Sequence, residues 1–359
     1  MIRAVKLSLG SLTATKQRRL DAVVRELRAA ACFYARSVWI NPGKLDAKTQ
    51  ARYTGGSLGY RQKHDMLRLA LSTVVATRKA AKAHGRPASV PEFKGALKVS
   101  VNLCKVESFR GSFDFCAKFS GLVKGSPIVI PLKSHARLNY WLDKTNAKLL
   151  DGCVIGPNWI VVYVKVPDEE PKPTGDDIGV DTGYNKLLAT SEGDFHGTGM
   201  KAACERVRRC KPGSKGMRRA QRARHNYVNK SVKSLPWDRM RMVSVEDLTG
   251  LKLRTQRKDK SSKASRKRMA PWTYRQVLSR IEQLAPEHRV RLVYVDPRDT
   301  SRRCPSCGWV AKENRVAENF QCVRCNYRAD ADTVGAVNVL AKATGNWREL
   351  RVSAPVGDQ

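Results

Sequence analysis

Two Cys-x-x-Cys pairs near the carboxyl end, Cys304/Cys307 and Cys322/Cys325, constrain this chain more than any other feature. Fourteen residues separate the second cysteine from the third. Knuckles at this spacing supply four thiolates, the set that closes a tetrahedral structural Zn²⁺ site. With all four ligand places filled, no open position is left for a catalytic water. A redox dithiol is the alternative for either pair alone, and two knuckles in register argue against it. Seven residues past Cys325 stands Asp332, opening an apolar helix. The total of ten cysteines is even, yet a chain of 359 residues does not need disulfide staples. Cys32, Cys104, Cys116, Cys153, Cys204 and Cys210 are scattered and read as mostly buried small apolar residues.

Around this module the chain is strongly basic, with 68 Lys+Arg against 32 Asp+Glu and a formal net charge of +36. Such an excess calls for a polyanionic partner, nucleic acid first and a membrane surface second. No segment approaches ~20 apolar residues, and the N-terminus lacks the apolar core of a signal peptide. The expectation is therefore a cytosolic protein with reduced thiols and no membrane association. Nothing like a coiled-coil heptad fixes an oligomeric state.

Periodicity gives the architecture. Ile2–Leu9 alternates and reads as a half-buried strand. Helices are expected over 13–40, carrying Leu20, Val24, Leu27, Ala31, Tyr34 and Val38, and over 60–84, closed by Gly85. The period then switches to two: Leu97, Val99, Val101 and Leu103 alternate, 113–119 alternates in part, 128–130 ends at Pro131, and 153–166 reads as a hairpin. The simplest assembly is multidomain α+β, opening with a β-barrel that takes a helical insertion after its first strand. Pro167–Asp177, with three prolines, one glycine and five acids, is a linker by composition and marks the main boundary. Beyond it come short strands at 178–181, 186–191 and 242–246, an amphipathic helix at 272–285, a strand at 290–296, and a last helix over 333–343 burying Val337 and Leu340.

Three carboxylates share a context. Asp181 and Glu246 each end a strand, and Asp332 starts a helix. An α/β sheet can bring such ends to one edge, and acids converging there repel unless cations neutralise them. Mg²⁺ or Mn²⁺ suits one or two carboxylates plus a substrate phosphate. Two such ions roughly 3.5–4 Å apart activate water and stabilise the leaving oxygen in phosphodiester cleavage. For any one acid the plainer reading is a solvated turn residue; the three together, in so basic a chain, favour nuclease chemistry.

Lys201–Lys233 holds twelve Lys or Arg and one acid, and Lys252–Arg268 holds nine and one. The near absence of interleaved acids marks phosphate contacts rather than an ordinary solvated face. Candidate contacts are Arg206, Arg208, Arg209, Lys211, Lys215, Arg218, Arg219, Arg222 and Arg224, with Arg302 and Arg303 in the cysteine module. Tyr227, Trp237, Trp272 and Tyr274 read as core rather than as base-stacking groups.

G-V-D-T-G-Y-N-K-L (179–187), V-S-V-E-D-L (243–248), V-D-P-R-D-T-S-R-R-C-P-S-C-G (295–308) and F-Q-C-V-R-C-N-Y-R-A-D-A-D (320–332) occur in an order that resembles the TnpB family. That family comprises transposon-encoded, RNA-guided DNA nucleases and is similar to the compact type V CRISPR effectors. The resemblance covers 178–343 and is architectural before that. It implies an RNase H-like α/β RuvC domain (178–303 and 326–345) with Asp181, Glu246 and Asp332 as Mg²⁺-binding catalytic acids. It implies a zinc ribbon at 304–325, a wedge-like barrel at 1–12 and 95–170, a helical recognition insertion at 13–94, and a tail at 346–359. The implied partners are a guide RNA and double-stranded target DNA, in a prokaryotic cytosol or nucleoid. Pairing would read sequence while basic grooves hold the backbone. Where the family has Asn-Ala-Ala after the last acid, this chain has Val334-Gly335-Ala336, and Asp330 offers a carboxylate two residues before Asp332. Asp332 is preferred for its offset to the following helix and Asn338. The alternatives are an RNA-guided DNA-binding repressor or an RNA chaperone with vestigial acids, and a transposase acting without RNA.

Overall fold

The computed structural model describes residues 1–41, 44–85, 87–109, 111–144, 146–248 and 274–347. The basic run 252–268, Trp272 and most of the tail, 348–359, lie outside the described residues. The chain divides into two compact units, Met1–Asp168 and Glu169–Gln359.

In the first unit, β1 (Ile2–Ser8) alternates buried and exposed residues as its sequence does. Helix α1 (Ala14–Ile40) starts at Thr13, whose hydroxyl accepts the Lys16 amide and satisfies one orphan donor of the first turn. Its buried face runs Leu20, Val23, Val24, Leu27, Ala30, Ala31, Tyr34 and Val38, spaced for one side of a helix. Short α2 (Ala47–Ala51) follows, then α3 (Tyr60–His84), which packs on α1 and stops at left-handed Gly85. Next come β2 (Leu97–Val99), β3 (Cys104–Ser108), β4 (Phe115–Phe119), β5 (Ile128–Leu132), α4 (Ala136–Leu142), β6 (Lys148–Ile155) and β7 (Trp159–Lys165).

These strands form two antiparallel sheets, β1-β7-β6-β2 and β3-β4-β5, and no closed barrel is found among the described residues. Two local features break the ring. The alternation of 97–103 does not continue as strand: the amides of Leu103 and Cys104 turn back to Ser100 O, and Val101 is 54% exposed. In β6 the register slips between Leu150 and Val154, and the Asp151 carboxylate there accepts the Val106 amide of β3 at 2.9 Å. A side chain takes the place of a ladder between the sheets. Pro131, lacking an N–H, sits in edge strand β5. One apolar core, including Leu27, Phe119, Ile130, Trp141 and Val162, is shared by both sheets and both long helices.

The second unit is α/β. Strands β8 (Asp176–Thr182), β9 (Leu188–Thr190) and β10 (Phe195–His196) meander antiparallel. Helices α5 (Met200–Arg209) and α6 (Lys215–Lys233) lead to β11 (Met240–Glu246), which pairs parallel with β8. Helix α7 (Tyr274–Glu287) crosses to β12 (Arg291–Val295), parallel to β11. The sheet order is β10-β9-β8-β11-β12. A small antiparallel sheet, β13 (Arg315–Val316), β14 (Asn319–Gln321) and β15 (Arg328–Asp330), carries the cysteine module and leads into α8 (Ala331–Thr344). Helix α8 lies on β8 at close range. A Cβ added at Gly179 would meet Ala336 O at 2.1 Å, so only glycine permits this approach. The residues of α8 that bury are Ala331, Asp332, Val334, Gly335, Ala336, Asn338, Val339 and Ala341, while Val337 and Leu340 are half-buried.

Candidate metal centres

Asp181 is the penultimate residue of β8 and Glu246 the last of β11. The parallel register pairs Val180 with Val245, so the two acids follow side by side at the carboxyl ends of neighbouring strands. Open α/β sheets bind their ligands at that edge. Asp332 enters from the first turn of α8, capped by Asp330, whose carboxylate accepts the amides of Asp332 (3.0 Å) and Thr333 (3.1 Å). Burial pushes Asp330 up, but its ion pair with Lys186 and the two amides hold it below the usual carboxylate range. Asp330 is thus occupied as cap and ion pair, and Asp332 faces the other two acids.

The three carboxylates feel one another. Asp181 is pushed up to about 7, first by burial and then by the charges of Glu246 and Asp332, with Arg315 opposing. Burial also raises Glu246, against the hydroxyl of Thr300, which stands 2.5 Å from Oε1. Asp332 is 8% exposed and accepts a bond from Arg315 Nη2 at 2.8 Å. The acids do not crowd to contact. Among the described residues, only the four cysteines form a group whose ligand atoms all lie within 4.8 Å of one another. The donor set at the sheet edge is all oxygen, which suits a hard divalent cation. Asp181 lies against the helix at Gly335, and Asp332 comes from that same helix. These residues fit such an ion.

Several groups at this edge escape a reading based on charge and periodicity. A Cβ at Gly335 would fall 2.7 Å from Asp181 Oδ2, so the carboxylate rests against the glycine of α8. Thr300 and Asn338 carry no charge and break no period. Arg315 is legible only as one more cation of the ribbon, and its pairing with Asp332 needs the fold.

In the cysteine module, Cys304 and Cys325 sulfurs stand 3.6 Å apart, and those of Cys307 and Cys322 stand 3.5 Å apart. A tetrahedron with Zn–S of ~2.3 Å has edges of about 3.8 Å, so the cluster fits zinc. Amides of Cys307 and Arg324 point at Cys304 Sγ (3.5 Å) and Cys322 Sγ (3.4 Å), polarity that favours thiolates. Buried Asn314 ties the knuckles together: its Nδ2 donates to Arg302 O and Trp309 O, and its Oδ1 accepts the Val323 amide. The apolar support is small, Phe320, Ala331 and Val334 beside the buried thiols of Cys304 and Cys322.

The basic candidates divide. Arg206, Arg208, Arg209, Lys211, Lys215, Arg218, Arg219 and Arg222 are exposed on α5, α6 and their connection, opposite buried Cys204, Val207, Ala220, Val228 and Val232. Arg302 is exposed too. Arg224 is half-buried, and burial lowers its pKa. Arg303 is 4% exposed, donates to Trp347 O and stacks on the Trp347 ring; it is a structural residue, not a surface cation. Trp237 and Tyr274 are core and Tyr227 packs against it. No helix among the described residues is long and apolar enough to cross a membrane.

Comparison with known proteins adds to this geometry. Residues 274–339 match the family described as Cas12f1-like, TNB domain. The chain is similar to the putative RNA-guided DNA endonuclease InsQ of Escherichia coli, 46% identical over 52 residues, 14% of this chain and 13% of that protein. It is similar to the TnpB-like protein MJ0751 of Methanocaldococcus jannaschii, 29% identical over 135 residues, 36% of this chain and 47% of that one. The chain spans less than half the length of each curated relative it matches. In fold it resembles the protein of a Cas12f1–sgRNA–target DNA complex, with a TM-score of 0.50 and 15% identity over 91% of this chain and 82% of that chain.

Proposed function

The chain is a TnpB-like relative of the compact type V effectors, and from that premise we propose that it is an RNA-guided DNA endonuclease with one cleavage centre. The observation that carries this reading is the convergence of three acids: Asp181 and Glu246 at adjacent ends of β8 and β11, and Asp332 on α8, whose Gly335 lies against Asp181. On this reading residues 178–303 and 326–345 are an RNase H-like RuvC nuclease and 304–325 a ribbon held by Zn²⁺ on Cys304, Cys307, Cys322 and Cys325. Residues 1–12 and 95–170 would serve as a wedge around the recognition helices of 13–94.

Asp181, Glu246 and Asp332 would hold Mg²⁺ or Mn²⁺, which when bound supplies a nucleophilic hydroxide and charge stabilisation at the scissile phosphate. The chain's own groups prepare that chemistry. Burial and mutual repulsion at Asp181 favour any cation that replaces its proton. Arg315 neutralises part of the charge on Asp332 and is placed beside the acids, where a guanidinium can also grip a phosphate. Thr182 N–H donates to Asp181 Oδ1 at 2.8 Å and orients that carboxylate. The exposed cations of α5 and α6 would track the nucleic-acid backbone without reading sequence.

The test is to purify the chain with its bound RNA, sequence that RNA, and add DNA matched or mismatched to it in Mg²⁺. Guided cleavage of the matched DNA alone is expected. RNA-free protein, or cleavage indifferent to the match, would overturn the reading. Matched binding without cleavage would assign the chain to guided repressors.

A further inference from the structure

Helix α8 carries Asp332, and two more of its residues, one turn and two turns on, touch Asp181 and the loop that holds Thr300. Gly335 lies against Asp181, as its missing Cβ shows. Asn338 is fully buried, and its Nδ2 donates to Thr300 O and Arg303 O, both at 2.8 Å. Those two carbonyls belong to the loop that joins β12 to Cys304. Within that loop Thr300 is 1% exposed and its hydroxyl stands 2.5 Å from Glu246 Oε1.

We propose that Thr300 is a positioning residue for Glu246, set in place by Asn338, so that one face of α8 fixes the orientation of all three carboxylates for metal ligation. The inference rests on the metal-centre reading above. Glu246 ends its strand on a long side chain, and ordering such a chain costs rotamer freedom. A hydrogen bond from a buried hydroxyl selects one carboxylate orientation before the cation arrives, as outer-shell partners do in metal sites. Thr300 has one hydroxyl proton and a second acceptor within reach, Pro297 O at 2.8 Å. An ionised carboxylate is the stronger acceptor, so the proton goes to Glu246 once it is charged. The same loop runs into Cys304, whose amide bonds Trp309 O at 2.9 Å. Asn338 therefore ties the first knuckle and the Glu246 support to one helix.

A plainer role is closure of the turn at Pro297, and a double-mutant cycle separates the two. Mn²⁺ binding to the full chain with its bound RNA is followed by electron paramagnetic resonance, and the increment lost in Asp181→Asn isolates the acid centre. Thr300→Val should weaken that increment about 10-fold. Thr300→Ser, which keeps the hydroxyl, should restore it. In an Glu246→Gln background Thr300→Val should change the residual binding little. Unchanged affinity in Thr300→Val, or an equal loss in both backgrounds, overturns the positioning role while leaving the metal centre standing. If wild type binds no more Mn²⁺ than Asp181→Asn, the metal-centre reading fails and this inference fails with it.

Discussion

In the ribbon, four sulfur atoms already stand within 4.8 Å of one another, while the three carboxylates at the sheet edge do not. Both groups sit in the same unit, and both converge from separate segments. Four sulfurs this close are the spacing that one tetrahedral cation takes up and holds together. The carboxylates repel: Arg315 offsets the charge of Asp332, while burial and the neighbouring charges raise the pKa of Asp181. A structural site fills every ligand place with protein sulfur, whereas a site that must take up cation and substrate together keeps room and unspent charge. The two should therefore answer perturbation differently.

The largest contrast is in activity. Glu246→Gln should lower guided DNA cleavage by about 10⁴-fold or more in a single-turnover assay, as loss of one member of a catalytic unit does. Zinc content and RNA binding should not move. A cleavage rate within tenfold of wild type would dissolve the contrast.

Cys322→Ser should do the reverse at first: one zinc lost per chain by colorimetric release, and amides of 304–330 exchanging like unfolded chain. The ribbon's few apolar residues cannot order it alone, and structural zinc contributes about 10 kcal/mol or more in comparable small folds. Protected ribbon amides in the zinc-free variant would show that the thiols are not what holds it.

The sign of the pH effect follows from Asp181. Its pKa rises on folding from the ordinary 3.8 to about 7, so at intermediate pH the folded chain keeps a proton that the unfolded chain has released. The stability this group contributes is complete at acid pH and is lost as pH rises through about 7. In metal-free buffer, Asp181→Asn should therefore raise the melting temperature by about 4 °C at pH 8 and leave it unchanged near pH 4. A rise of the same size at both pH values would mean that ionisation of Asp181 is not the cause.

The smallest effect belongs to Arg315→Ala. Its pair with Asp332 is partly exposed, at 30% and 11% for the two side chains, so its loss should lower metal-free stability by only about 1 kcal/mol. Salt or Mn²⁺ should erase the difference in calorimetry. A loss that survives both would make Arg315 a packing residue.

Much of this architecture is legible in the sequence where a local pattern has one structural meaning. The spacing of Leu20, Val24, Leu27, Ala31, Tyr34 and Val38 admits only a helix, and α1 starts at Thr13 as its cap chemistry requires. The strands that end on Asp181 and Glu246 are short apolar runs between turn signals and read the same way. Where one pattern has two meanings, the sequence misleads. The alternation of Leu97, Val99, Val101 and Leu103 continues through the turn at Ser100, because an exposed turn valine looks like an inward strand valine. A closed barrel is the natural extrapolation from that pattern, and the Asp151 side chain that replaces its missing ladder carries no signal of its own. Val337 and Leu340, the apolar residues expected to bury, stay half-buried, because α8 meets β8 closely at Gly179 and buries Val334, Ala336 and Val339 instead. At the acid edge, formal charge points to the carboxylates and misses their supports, since Thr300, Gly335 and Asn338 act through hydrogen bonds and absence of bulk.

The most direct test is an anomalous difference map of the full chain on its RNA and an uncut DNA analogue, grown in Mn²⁺. Density within ~2.2 Å of oxygens from Asp181, Glu246 and Asp332 together is the predicted result. Mn²⁺ bound by Asp181 and Asp332 with Glu246 turned away, or no peak at this edge, would contradict it.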